Sequence, residues 1–179
     1  RWFAVANQIL RSEKMKSKDM VNIYFNLGMG LNDAAIMTWY YKYHYNLLRP
    51  SDYITKNMDQ NWKPFHDDPN FPSYPSGHAV FGAVASSILE NYFGENYSFT
   101  DNSHKNRREF LSKKRSFPSL AEMARESARS RILLGVHFYE DCDAGLQYGQ
   151  KIGRYVSKYA ETVFEIQMND NQTAFLPNQ

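Results

Sequence analysis

Residues 75–92 read Pro75-Ser76-Gly77-His78-Ala79-Val80-Phe81-Gly82-Ala83-Val84-Ala85-Ser86-Ser87-Ile88-Leu89-Glu90-Asn91-Tyr92. Ser76 is a residue type that caps helices, and from there to about Tyr92 the apolar positions Ala79, Ala83, Val84, Ala85, Ile88 and Leu89 recur at helical spacing. The spacing predicts a helix with small residues on its packed side, and small residues imply close contact with a neighbouring helix.

Working outward, the rest of the chain reads in the same way. Glycine and proline are sparse, and the apolar periodicity predicts a short helix over 1–13, with Trp2, Phe3, Ala6, Ile9 and Leu10 on one side. A long helix follows over 18–47 with a stripe of Tyr24, Leu27, Leu31, Ala35, Thr38 and Tyr41, weakened by Gly28 and Gly30 and ended by Pro50. Residues 51–75 are a connection rich in Asp, Asn and Pro, longer than structureless loops usually are, and such loops are commonly functional. After a polar break at 94–102 and an irregular basic stretch, helices are expected over Ser119–Leu134 and from Tyr139 to about Thr162, with a frayed tail beyond Asn169. With no repeat and no linker, residues 1–179 read as one all-α helical-bundle domain.

Composition sets looser bounds. A chain of 179 residues with 42% hydrophobic and 22% charged residues can bury a core of its own. The net charge of +2 is too small to argue for a nucleic-acid partner, and the clusters Lys105-Arg107-Arg108 and Lys113-Lys114-Arg115 lack aromatic interleaving, so they read as solvated surface. The single cysteine, Cys142, excludes an internal disulfide. No apolar run approaches the ~20 residues of a bilayer span, so no membrane partner is expected. The chain opens at Arg1 without a methionine or signal-like segment, and Trp2 and Phe3 would lie exposed there unless something covered them. A companion segment upstream is therefore expected, with this chain as the C-terminal, site-bearing part of a larger protein. A homo-oligomer is possible, and a periplasmic or secreted location is the expectation.

Three short stretches carry chemistry. Lys42 and Arg49 lie seven apart, two turns on one face of the second predicted helix, where two cations repel unless an anion lies between them. Alone, such a pair reads as solvent-exposed. Ser76-Gly77-His78 opens a helix whose free N–H groups and positive dipole end favour an anion, Gly77 has no side chain to keep an oxygen from its N–H, and His78 titrates where a general acid or base belongs. Alone, this is an N-cap serine beside an incidental histidine. Ser130-Arg131 offers a guanidinium fork six residues before His137, and Asp141, four residues further on, can hold one imidazole nitrogen so that the other stays free. A lone histidine there would more often be a satisfied core residue.

Taken together, K-x6-R-P, P-S-G-H and S-R-x5-H-x3-D in this order resemble the superfamily of vanadium-dependent haloperoxidases and type 2 phosphatidic acid phosphatases, over roughly residues 32–149. The resemblance implies a helical bundle with an oxyanion between Lys42, Arg49, Ser76, Gly77 and Arg131. His137 would be its apical partner and the residue bonded to the metal, and His78 the acid/base. It also implies a second helical bundle upstream. The candidate catalytic residues are thus His78, His137, Asp141 and Lys42.

The superfamily runs two chemistries on one pocket. In a phosphatase, His137 would form a phosphohistidine while His78 protonates the leaving alcohol. In a haloperoxidase, vanadate would be the cofactor, hydrogen peroxide and halide the substrates and hypohalous acid the product, and phosphate would fit the same pocket. Asn32-Asp33-Ala34-Ala35-Ile36, Trp39, Tyr45-Asn46 and Gly135-Val136-His137-Phe138 followed by Gly145 and Gly149 are similar to the bacterial haloperoxidases. Tyr40 departs from the aspartate often found two before the lysine. A vanadium-dependent haloperoxidase is therefore expected ahead of a soluble acid phosphatase, and a non-catalytic interaction module would leave the coincident motif residues without a purpose. Phe71 and Trp39 stand where algal bromide-oxidising relatives typically carry His and Arg. The pair resembles the fungal chloride-oxidising and bacterial iodide-oxidising branches, and the short stretch between Ser76 and Arg131 with the surround of His137 favours the latter. The resemblance therefore implies iodide as the preferred halide, with Trp39 and Phe71 beside it.

Overall fold

The computed structural model describes residues 1–109 and 114–173, with the side chain of 161 and those of 163–173 outside the description. Among the described residues, six helices and one two-stranded ribbon follow in order: α1 (Trp2–Ser12), α2 (Ser17–Tyr45), α3 (Pro50–Asn57), α4 (Gly77–Phe93), β1 (Phe99–Asp101), β2 (Arg115–Phe117), α5 (Leu120–Leu133) and α6 (Tyr139–Thr173). The helical-bundle expectation holds. Among the described residues no helix is long and apolar enough to cross a membrane.

Helix α4 is the central element, flanked by α6, α5 and α2. Its small residues do what their spacing suggests. A Cβ on Gly149 would lie 2.4 Å from the Val80 carbonyl oxygen and 2.6 Å from Ala83 Cβ, and Gly145 and Gly153 make equally close approaches, to Ala79 and Ser87. These three glycines, four residues apart on α6, let its backbone rest directly on α4. The core gathers Val5, Ile9 and Leu10 of α1, Ile23 and Leu27 of α2, Val80, Val84, Ile88 and Leu89 of α4, Leu120 and Met123 of α5, and Val156 of α6.

Several elements differ from the sequence expectation, each for a local reason. The buried stripe of α2 is Ile23, Leu27, Gly30, Ala34, Thr38 and Lys42, rotated from the expected one; Gly30 sits in it because a Cβ there would meet Ile88 at 2.5 Å. Helix α2 ends at Tyr45, where Asn46 turns left-handed (φ 49°) and donates its N–H to the Lys42 carbonyl. Pro50 therefore does not end that helix. It occupies the first position of α3, where its missing N–H costs nothing, so the 51–75 connection begins as a helix.

The basic stretch contains a ribbon pairing Phe99 with Phe117 and Asp101 with Arg115, with the Phe99 and Phe117 rings stacked 5.7 Å apart. Lys105, Arg107, Arg108, Lys114 and Arg115 are exposed as expected, and Lys113 lies outside the described residues. Helix α6 runs past Asn169 to Thr173, and the rest of the tail expected to fray, 174–179, lies outside the described residues. At the amino end, Trp2 is buried in the bundle's own core and only Phe3 of that pair is exposed, because α1 presents Val5 inward instead.

Candidate active site

The site forms where the 71–76 segment, the N-terminus of α4, the end of α5 and the start of α6 meet. Lys42 and Arg49 are brought together, although not on one helix face: the left-handed turn at Asn46 and the short 46–49 link carry Arg49 back beside α2. Both are buried, at 0% and 3% exposure, which removes the solvent-exposed alternative. Lys42 Nζ donates to the carbonyls of Pro72 (2.7 Å) and Ser73 (2.9 Å), leaving one of its three hydrogens for a ligand. Arg49 donates to the carbonyls of Phe71 (3.0 Å), Val136 (2.6 Å) and Pro72 (3.5 Å), and Asp68 lies 4.0 Å from it.

Ser76 and Gly77 open α4 as the sequence suggests, but the Ser76 hydroxyl does not cap the helix. It is fully buried with no hydrogen-bond partner, its polar neighbour being the weakly bonding thiol of Cys142. A Cβ at Gly77 would meet Thr38, Phe81 and Trp39 at 3.6–3.9 Å, ordinary contact, so packing does not demand glycine there. The Thr38 hydroxyl, also buried beside Gly77, is likewise unpartnered. A buried hydroxyl without a partner at the start of α4 fits a bound polar group there.

Arg131 projects from the last turn of α5, braced by the Ser130 hydroxyl, which accepts from its Nε (3.1 Å) and Nη2 (3.0 Å). Its Nη1 lies 3.5 Å from Nε2 of His78, which is exposed at the mouth of the site. Gly135, at φ 76°, ends α5 against Trp62, where a Cβ would come within 2.9 Å of the indole; this turn delivers Val136 and His137 into the interior.

His137 and Asp141 are both buried, at 5% and 3% exposure. Asp141 Oδ2 accepts from His137 Nδ1 (3.1 Å), the Phe138 N–H (3.0 Å) and the Ser73 hydroxyl (2.5 Å), while the Asp141 carbonyl accepts from the Ser76 N–H (2.9 Å). With Nδ1 engaged, Nε2 keeps its lone pair.

The electrostatics follow from crowding cations away from water. Burial, and then Arg49, lower the Lys42 pKa to about 7. Burial also lowers Arg49 and Arg131 from their ordinary values. His78 is pushed down to about 4 by desolvation of its ring, then by Arg131 and His137. Burial lowers His137 against the opposing pull of Asp141, so the imidazole is neutral. For Asp141, desolvation alone would raise the pKa, but hydrogen bonds from His137, Ser73 and Phe138 hold it below the usual carboxylate value. The result is a concentrated positive field facing a neutral imidazole, a setting in which an oxyanion is stabilised without reorganisation.

Trp39 and Phe71 form one wall, with rings 5.3 Å apart, and Lys42 and Arg49 sit over the Phe71 ring at 5.0 and 5.2 Å. Tyr40 is exposed and stacks on His44. Ser73 and the carbonyls of Phe71, Pro72 and Val136 are parts of the site that sequence reasoning missed. Carbonyl acceptors leave no residue-type signal, and the only hint of Ser73 is its place between Pro72 and Pro75 ahead of the motif.

Comparison with known proteins bears on the same residues. Residues 22–166 match the family described as the VCPO second helical-bundle domain. The chain is 23% identical over 103 residues to the vanadium chloroperoxidase of Curvularia inaequalis, covering 47% of this chain and 16% of that protein. The crystal structure of a bacterial vanadium-dependent iodoperoxidase superposes with a TM-score of 0.82 at 32% identity, covering 88% of this chain and 38% of that one. A holo-type bacterial vanadium-dependent chloroperoxidase gives 0.71 at 19% identity, covering 90% and 40%, a likeness of fold alone. The chain spans less than half the length of each of these relatives.

Proposed function

The chain belongs to the family of the VCPO second helical-bundle domain, and from that premise we propose that it carries the oxyanion site of a vanadate-dependent haloperoxidase, which oxidises halide with hydrogen peroxide to hypohalous acid. The observation that carries this reading is the convergence of buried Lys42, Arg49 and Ser76 on a neutral His137 whose Nδ1 is already engaged. With Nδ1 engaged and Arg49 and Lys42 nearby, Nε2 is suited to one bond to the centre of an oxyanion.

The residues present fit vanadate. Lys42, Arg49 and Arg131 would neutralise its charge, the unpartnered Ser76 hydroxyl and the Gly77 N–H would donate to its oxygens, and His137 would supply the protein's bond to the metal. When bound, vanadate supplies a Lewis-acid centre that activates peroxide toward halide without changing oxidation state. This chain's own residues do the rest. His78, neutral and open to the mouth, takes a proton from the incoming peroxide and returns it as the product leaves. Asp141 accepts from His137 Nδ1 and so leaves Nε2 free. Trp39 and Phe71 offer an aromatic wall to the halide, and iodide is the preferred substrate.

A companion bundle elsewhere in the whole protein completes the enzyme. The exposed apolar side chains Val21, Phe25, Ile36, Tyr40 and Tyr43 along α2 support that proposal, as does the length of the relatives.

The test uses the full-length protein. With orthovanadate it should turn over halide and peroxide, and phosphate should inhibit by competing for the pocket. Hydrolysis of phenyl phosphate through a phosphohistidine trapped at His137, with no halide oxidation after vanadate loading, would instead establish the acid phosphatase.

A further inference from the structure

We propose that Ser73 is a positioning residue that fixes the direction in which His137 presents Nε2, and that it ties this direction to the placement of Lys42. The proposal rests on the reading of His137 as the residue that would bond the centre of the oxyanion.

Ser73 is completely buried, and each of its polar groups is engaged. Its N–H donates to the Leu47 carbonyl (3.0 Å), and its own carbonyl accepts from Lys42 Nζ (2.9 Å). Its hydroxyl donates to Asp141 Oδ2 (2.5 Å), and the same oxygen lies 3.2 Å from His137 Nδ1.

The three side chains form a closed triangle: Ser73 to Asp141, Asp141 to His137, His137 back to Ser73. A hydroxyl has one hydrogen and two lone pairs. Once that hydrogen is given to the carboxylate, the lone pairs are left facing Nδ1, which can only donate toward them. Asp141 likewise accepts at Oδ2. Two acceptors thus converge on Nδ1–H, and the tautomer with hydrogen on Nε2 would set a lone pair against both. Asp141 alone would allow the imidazole to swing about a single hydrogen bond. A second acceptor, on a different segment of the chain, removes that freedom.

The main chain of Ser73 adds the coupling. The residue whose hydroxyl steers His137 also supplies, through its carbonyl, one of the two acceptors that hold Lys42, so a displacement of the 72–75 segment would move the cation and the imidazole together.

The hydroxyl can be removed without touching the carbonyl, so the two functions separate. In the full-length protein labelled with 15N-histidine and free of oxyanion, wild-type His137 should show the Nδ1–H tautomer alone, and Ser73→Ala a mixture of the two. Orthovanadate affinity by calorimetry should fall about tenfold in Ser73→Ala, as is typical when a partner behind a metal ligand is lost, and Ser73→Thr should restore both readouts. Thermal unfolding identifies a variant that has lost its fold, in which case Ser73→Cys, of similar shape with a weakly bonding thiol, should show the same tautomer mixing.

Retention of the pure Nδ1–H tautomer in Ser73→Ala, or an Nε2–H tautomer in the wild type, would overturn the proposal, as would a Ser73→Thr variant no better than Ser73→Ala. The tautomer is read without vanadate. A protein that never binds vanadate therefore still tests Ser73, and vanadate binding with an unchanged tautomer overturns the role of Ser73 alone.

Discussion

Lys42 and Arg49 share an acceptor: Lys42 Nζ donates to the Pro72 carbonyl at 2.7 Å, and Arg49 Nη2 reaches the same oxygen at 3.5 Å. Loss of water, and then repulsion between two buried cations on one neutral carbonyl, brings the Lys42 pKa to about 7. A bound anion between them reverses the balance, because it favours the protonated amine. Below about pH 7 the site is already charged and binding needs no proton; above it, each anion bound must bring a proton to Lys42, so affinity falls as pH rises. Calorimetry with sulfate, whose own charge is constant over this range, should show proton uptake on binding above neutrality and none well below it. Uptake that does not vary with pH would show that Lys42 stays protonated in the empty site.

The two histidines separate by role. His137→Ala removes the only proposed bond from protein to metal and should abolish tight vanadate retention. His78→Ala removes an exposed, neutral proton carrier and should leave vanadate affinity largely intact while slowing turnover. Equilibrium dialysis beside steady-state kinetics reads both quantities, and equal loss of vanadate affinity in the two variants would reverse the assignment.

Gly77 is a glycine that packing does not require, since an added Cβ meets its neighbours only at 3.6–3.9 Å. Gly77→Ala should therefore fold with an unchanged or slightly raised melting temperature. Its methyl group would crowd an oxygen held at the N–H, and losing a charge-assisted hydrogen bond of about 1.5–3 kcal/mol predicts at least a roughly tenfold drop in orthovanadate or phosphate affinity. Unchanged affinity would mean that the oxyanion does not use this N–H.

Gly28 and Gly149 make opposite predictions from the same substitution. A Cβ on Gly28 meets nothing within 4 Å, so Gly28→Ala should stabilise α2 by up to about 1 kcal/mol. On Gly149 it would stand 2.4 Å from the Val80 carbonyl oxygen, and forcing α6 off α4 should cost about 1–3 kcal/mol, exceeding the gain in helix propensity. Chemical denaturation of the two variants checks the signs. A stabilised Gly149→Ala would show that the α4–α6 contact is looser than the structure has it.

What was legible in the sequence were the features with a local cause. Ser76, Gly77 and His78 announce themselves because a helix start is a local event, and Asp141 reaches His137 because four residues make a helical turn. Lys42 and Arg49 converge by a different route from the one their spacing suggests. Seven residues imply two helical turns, but Asn46 breaks the helix through a left-handed conformation that no apolar periodicity signals. The stripe of α2 was misplaced for a related reason: Gly30 and Lys42 lie on its buried face, and a hydrophobic pattern counts neither as core. Strands of three residues are too short to show alternation, which hid the Phe99–Phe117 pairing. The carbonyls that hold both cations belong to the fold and not to any residue type.

The proposed halide preference turns on one wall of the site, where Trp39 and Phe71 present aromatic rings 5.3 Å apart. An aromatic surface favours the most polarisable and least strongly hydrated halide, which is iodide. Iodide is also the most easily oxidised of the three, so a site without an added acid against the peroxide reaches it first. Cations over the Phe71 ring, at 5.0 and 5.2 Å, keep that surface attractive to an anion. Specificity constants measured on the vanadate-loaded enzyme should rank iodide first, with bromide weak or inactive and chloride inactive. Trp39→Arg, which replaces the ring with a hydrogen-bonding cation, should raise the bromide-to-iodide ratio. A wild-type constant for bromide equal to or above that for iodide would remove the halide assignment and leave the oxyanion site as argued.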